Sequence, residues 1–178
     1  MINTIPYEIL VGSGTAYIAP AGTALPPVGG TIPDPWVKIG AAGDLNYDED
    51  TGVEFTVGEE ITEWTPLGSN APAKQFRTVE RVGVKLAVAD MTLEQIRYAL
   101  NLNAITDVPA AGGAVAHRKI GLSKGMNITT YALVVRYNVS PYQAVGIMEY
   151  RHTRVQQRGD LKPIAKKGEP MLTELEFM

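Results

Sequence analysis

The sequence predicts a mainly β protein, a β-sandwich or barrel of about seven to eight strands with one short flanking helix. Three observations predict it. Eighteen glycines and twelve prolines are spread over 178 residues, which breaks long helices and favours short strands joined by turns. Several segments alternate apolar and polar residues with a period of two, the pattern of strands with one face buried. Helical periodicity is convincing in a single place. The length suits one domain spanning 1–178, with enough chain for a core that needs no disulfide or metal.

The elements follow in order. Residues 10–19 (LVGSGTAYIA) read as a first strand, with Gly12 and Gly14 marking a bulge or a close backbone approach. Residues 20–35 hold Pro20, Pro26, Pro27, Pro33 and Pro35 with three glycines, a loop that supports neither ladder nor helix. A short apolar segment, Trp36 to Ile39, precedes an acidic stretch from Asp44 to Glu63. Within it Val53, Phe55 and Val57 alternate with Glu54 and Thr56 as a half-buried strand, while Glu59 to Leu67 is less regular. Residues 66–72 form a turn-rich break.

The clearest strand is 75–89, with Val82, Val84, Leu86 and Val88 on one face. Fifteen residues exceed a usual strand, so a bend or bulge is expected near Glu80 to Gly83. The helix is expected at about 92–101. Thr92 with Gln95 three residues on has the capping-box spacing, Asp90 adds negative charge ahead of it, and Leu93, Ile96 and Leu100 form one stripe; Asn101 and Asn103 end it. Residues 104–114 read as a loop. Strands return at about 115–122, 128–137, 144–156 and 171–177. In the second of these Tyr131, Leu133, Val135 and Tyr137 share a face, and a turn at 138–141 makes a hairpin with the next.

Composition excludes much chemistry. The absence of Cys removes disulfides, thiol nucleophiles and Cys-based metal sites, and the two histidines, His117 and His152, lie on separate predicted strands among bases, where structural or surface roles are expected. No run of apolar side chains exceeds five residues, Tyr131 to Val135, far short of a spanning helix, and MINTIPYEIL does not read as a secretory signal. Gly12-Ser13-Gly14 resembles the start of a dinucleotide fingerprint, but Tyr17 stands where its third glycine belongs. No catalytic constellation assembles, so no enzyme, cofactor or metal is expected. Asn46, Asp48 and Asp50 have calcium-loop spacing, yet Thr51 replaces the required glycine and Val57 the closing glutamate. A β-sandwich binding module for glycan or calcium is the alternative.

The net charge of −3 conceals an uneven distribution. Residues 1–70 carry ten acids and one base, Lys38, for −9; residues 71–178 carry nine acids and fifteen bases, for +6. Asp44, Asp48, Glu49, Asp50, Glu54, Glu59, Glu60 and Glu63 come without an intervening base. Such carboxylates repel one another unless spread out or met by bases, and Arg77, Arg81, Arg151 and Arg154 are candidates to meet them on a neighbouring copy.

The runs VGSGTAYIAPAGTALP (11–26), WVKIG (36–40) and APAKQFRTVERVGVKLAVADMTLEQIRYALN (71–101) resemble the tail tube, or major tail, proteins of long-tailed bacteriophages. The strand running into LAVADMTLEQI is the most specific piece. The resemblance implies a β-sandwich with a flanking helix that forms hexameric rings, whose strands join into one inner barrel and which stack into a tube. DNA and the tape measure protein would pass through an acidic lumen without specific binding, and no membrane is involved. Residues 41–74 match the long loop that contacts the adjacent ring. The implied location is the virion tail, assembled in the host bacterial cytoplasm; a single-ring tail-completion or connector protein is the neighbouring alternative.

Overall fold

The computed structural model describes residues 14–40, 52–89, 92–137, 148–163, 168 and 171–178. Among them are nine strands and one helix: β1 (Gly14–Pro20), β2 (Val37–Lys38), β3 (Val53–Trp64), β4 (Lys74–Val88), α1 (Leu93–Ala99), β5 (Ile105–Val108), β6 (His117–Ile120), β7 (Thr130–Tyr137), β8 (Met148–Gln156) and β9 (Thr173–Phe177). The strands form antiparallel sheets of order β2-β1-β7-β8, β3-β4-β9 and β5-β6. The mainly β expectation holds, as a sandwich-like arrangement and not a closed barrel.

The core lies where the first two sheets face each other. Ala16 and Ile18 of β1, Tyr131, Leu133 and Val135 of β7 and Val155 of β8 meet Val84, Leu86 and Val88 of β4 and Leu175 and Phe177 of β9. These are the alternate positions that period-two patterning assigned to one face, because successive side chains of a strand point to opposite sides. Burial of each of the larger aliphatic side chains and of Phe177 contributes about 1.5–3 kcal/mol. Tyr131 stands edge-on to both Tyr98 and Phe177, at centroid distances of 6.4 and 6.2 Å. Gly14 opens β1 where a Cβ would lie 3.0 Å from the Tyr137 ring and 3.2 Å from Val53. Close strand packing therefore accounts for this glycine, without any phosphate.

The second face of the four-stranded sheet is covered too. The Pro-rich segment folds back across it, and Leu25, Ile32 and Trp36 pack on Tyr17, Ala19, Ala132 and Val134. The Trp36 indole N–H donates to the Ala24 carbonyl at 3.1 Å. A segment unable to pair as a strand thus serves as a lid on a sheet.

Four departures from the sequence reading have physical causes. β5 occupies 105–108, inside the expected loop, and pairs with β6 across a turn containing Gly112 and Gly113, both at positive φ. β3 continues through the irregular stretch to Trp64 because β4 pairs along its whole length. The bulge lies at Thr78, two residues before the expected bend: Glu60 pairs with Val79 and Ile61 with Arg77, and the Thr78 hydroxyl donates to the Glu60 carbonyl at 3.1 Å. The capping box does not form. Thr92 is the N-cap without a side-chain capping bond, and Gln95 turns inward, where its Oε1 accepts from Gly40 N–H at 3.2 Å. The buried face of α1 is consequently centred on Gln95 and Ala99, with Leu93 and Ile96 at its margins.

Asn101, at φ 57°, ends the helix as expected and also anchors the following chain. Its amide donates to the carbonyls of Lys124 and Asn127, and its Oδ1 accepts from Thr129 N–H. Asn103 donates to Gly121 and Ser123 in the same way. β7 and β8 pair as the hairpin reading requires; the turn placed at 138–141 lies outside the described residues, as do Asp90 and Gly12.

Burial raises the phenols of Tyr98, Tyr131, Tyr137 and Tyr150, that of Tyr131 to about 12. An unfolded tyrosine ionises near 10. These groups bind protons more tightly when folded, so their contribution is complete below about pH 10 and lost as pH rises towards 12. Tyr131→Phe is expected to flatten the alkaline fall in stability by roughly 1–2 kcal/mol, measured by urea unfolding at about pH 9 and 11.5.

Candidate functional site

β9 pairs with β4 only over Val84–Val88, whereas β3 and β4 pair from Val53 and Leu86 to Trp64 and Lys74. The outer part of this hairpin, 57–64 and 74–82, therefore leaves the sandwich as a two-stranded arm, roughly 23 Å along β3 at ordinary strand rise. Its tip is closed by backbone bonds from Ala73 to Trp64 and from Ser69 to Pro66, with Gly68 at φ 90°.

The arm's surface is unusually apolar for one in water. Val57, Ile61, Trp64, Leu67 and Phe76 are all at least half exposed, Leu67 completely so. Phe55, at its root, is partly covered by the Tyr150 ring at 4.7 Å. Large apolar side chains gathered on one projecting element mark a surface that meets something.

Its charges are largely matched within the chain. Glu59 pairs with Arg77 at 2.6 Å and Glu60 with Arg81 at 2.7 Å, all exposed. Over β3 and β4 together five carboxylates stand beside four bases. The boundary between the acidic and basic parts of the sequence falls at the arm's tip, so antiparallel pairing folds one onto the other. Arg77 and Arg81, candidates to meet acids on another copy, meet them on their own. Such exposed pairs contribute about 0.2–1 kcal/mol each. Two arm acids form no ion pair among the described residues: Glu63, which accepts from the Gln75 amide at 2.6 Å, and Glu80. Glu54 lies opposite Lys85, which itself reaches Glu174 at 3.3 Å.

The remaining candidates are separated from the arm. Arg154 is exposed at a bulge in β8, with its N–H on His152 Nδ1 at 3.2 Å. Arg151 belongs to a buried cluster on the outer face of the four-stranded sheet. There the Glu149 side chain, only 2% exposed, accepts from Arg136 Nε at 2.7 Å and from Gly29 N–H at 3.0 Å; Arg151 Nε approaches its second oxygen to 3.6 Å. Arg151 also donates to the Pro26 carbonyl. The cluster ties the Pro-rich lid to the sheet and is structural, a role that only Gly29 and Pro26, distant in sequence, reveal. Asp44, Asp48, Glu49 and Asp50, with the calcium-like spacing they share with Asn46, lie outside the described residues.

No described group of three or more His, Asp or Glu has the geometry to hold a metal. No described helix is long and apolar enough to cross a membrane. No protein-family model matches the chain, and no curated protein matches it.

Proposed function

We propose that this chain is a structural subunit that assembles with copies of itself into stacked rings, forming the tail tube of a long-tailed bacteriophage. The observation that carries the reading is the arm: a hairpin that extends beyond the sandwich and holds its largest apolar side chains in water. Covering even half of each such group is worth about 1 kcal/mol, so the arm as a whole favours association by several. Head-to-tail contacts of this kind close into rings or continue as stacks. Among the described strands β3 has no partner on its outer side, an edge that pairing between copies would remove. The sequence resemblance supplies the number six, the tape measure protein and the DNA conduit, and the virion tail as the location; the reading contains no catalytic step and no cofactor.

Negative-stain electron microscopy of the concentrated protein is the test. Rings stacking into tubes of one diameter are the expected result. A monomer at all concentrations overturns the reading, and rings that never stack replace it with a single-ring connector.

A further inference from the structure

Among the open clefts lined by described residues, three stand out. One, beside β9, is walled by Lys85, Arg158 and Lys162 against Asp160, Glu174 and Glu176; another, on the outer face of β3-β4, sets Arg81 and Lys85 against Glu54 and Glu176. Both are charge-balanced. The third lies between the end of β1, β2, α1 and the start of β7, with a volume of about 310 Å³. Its walls are mainly apolar, from Ile18, Pro20, Val37, Tyr98, Leu102 and Tyr131, and its lining contains a single charged group, Arg97.

Arg97 makes no ion pair among the described residues: Glu94, one turn before it, is bonded to Arg118 and acts on Arg97 only at longer range. The Arg97 Nη2 makes one long bond, 3.4 Å, to the Leu102 carbonyl, and its Nε is buried without a hydrogen-bond partner. A half-buried guanidinium beside an apolar hollow favours an apolar group that brings a carboxylate with it. The arm tip is such a group: Trp64 and Leu67 are exposed, and Glu63, next to Trp64, lacks a base. Within one chain the tip is exposed and the cleft is open, so the two features are complementary and unsatisfied.

We propose that this cleft receives the arm tip of a second copy, with Leu67 or Trp64 seated against Val37 and Tyr131 and Glu63 set on Arg97. The assignment rests on the reading of the arm as an assembly element and specifies where it docks. One salt-bridged contact on an otherwise apolar seat fixes orientation, because a tip arriving rotated leaves Arg97 buried and unpaired.

The cysteine-free sequence gives a direct test. Leu67→Cys and Val37→Cys are made in separate chains, mixed, assembled and exposed to a mild oxidant, so that any disulfide joins two copies. A Leu67–Val37 crosslink is expected, with none to Val115→Cys, an exposed site on the β5-β6 hairpin. Arg97→Glu in the Val37→Cys chain should lower the yield about tenfold, the effect of roughly 1.4 kcal/mol, and Glu63→Lys in the partner should restore it. Arg97→Gln should lower the yield without rescue by Glu63→Lys, which keeps the test sound if the reversed charge disturbs α1. Tubes that form without the Leu67–Val37 crosslink, or that crosslink equally to Val115→Cys, overturn the docking site and leave the tube reading intact. Failure of the native chain to assemble overturns both.

Discussion

Replacing Trp64, Leu67 and Phe76 together by serine should leave a folded monomer and abolish assembly. These side chains are 55%, 107% and 51% exposed, so their loss removes little that holds the monomer together. Thermal unfolding should shift by no more than about 1 kcal/mol, the usual range for surface substitutions. In the proposed contact between copies the same groups would carry the apolar term. Trp64 and Phe76 share a face of the arm, since Phe76 pairs with Thr62, next to Trp64 by one step of two. Three large apolar groups each worth about 1.5–3 kcal/mol on full burial make a loss of several kcal/mol per contact, and each subunit in a stack repeats it. Sedimentation of wild type and triple variant at equal concentration measures the outcome. Normal tubes from the variant would remove the arm from the assembly contact.

Glu149→Ala should cost about 3–5 kcal/mol, the effect of removing one partner from a buried ion pair. Its carboxylate is the counter-charge to two guanidiniums, those of Arg136 and Arg151, which are only 18% and 26% exposed. It also accepts the Gly29 N–H that fixes the Pro-rich segment. Without it two positive groups lie together under a lid that has lost an anchor. Glu149→Gln keeps the acceptor for Gly29 and should cost less. In a Trp64→Phe background, Trp36 is the remaining tryptophan; it is 6% exposed beneath the lid, and its fluorescence reports lid release separately from global unfolding by circular dichroism. Equal stability of Glu149→Ala and the parent would show that the cluster holds nothing.

The sandwich was legible in the sequence where core-side apolar residues recur at every second position of a strand. The alternation in β4 and β7 named Val84, Leu86, Val88, Tyr131, Leu133 and Val135 as one side, and all are buried together. Elements held by partners far along the chain were not legible. β5 has no period of its own and exists because β6 offers it a ladder. Gln95 carries the right spacing for a cap, but the buried Gly40 N–H needs an acceptor and takes it. The acidic stretch told least about its own surroundings. Charge counted along the chain says nothing of what antiparallel pairing sets alongside, and β4 brings Arg77 and Arg81 to Glu59 and Glu60. The arm's exposed apolar groups were visible as residues, yet only the end of β9 pairing at Val84 shows that nothing covers them.

The single extra residue at Thr78 has a geometric effect at the far end of the arm. Along β3, Val53, Phe55, Val57 and Ile61 lie on the side continuous with the core, while Trp64 lies on the other. Without the bulge Phe76 would fall on the first side; the inserted residue moves β4 out of phase and brings Phe76 to the side of Trp64. The hairpin is thereby apolar below at its root and apolar above at its tip, like a tenon dressed on opposite cheeks. Laid flat against one wall, such a piece always leaves one set of side chains wet. It would be dry only when clasped, so in the proposed assembly each arm would join at least three bodies: its own sandwich and a surface on either side.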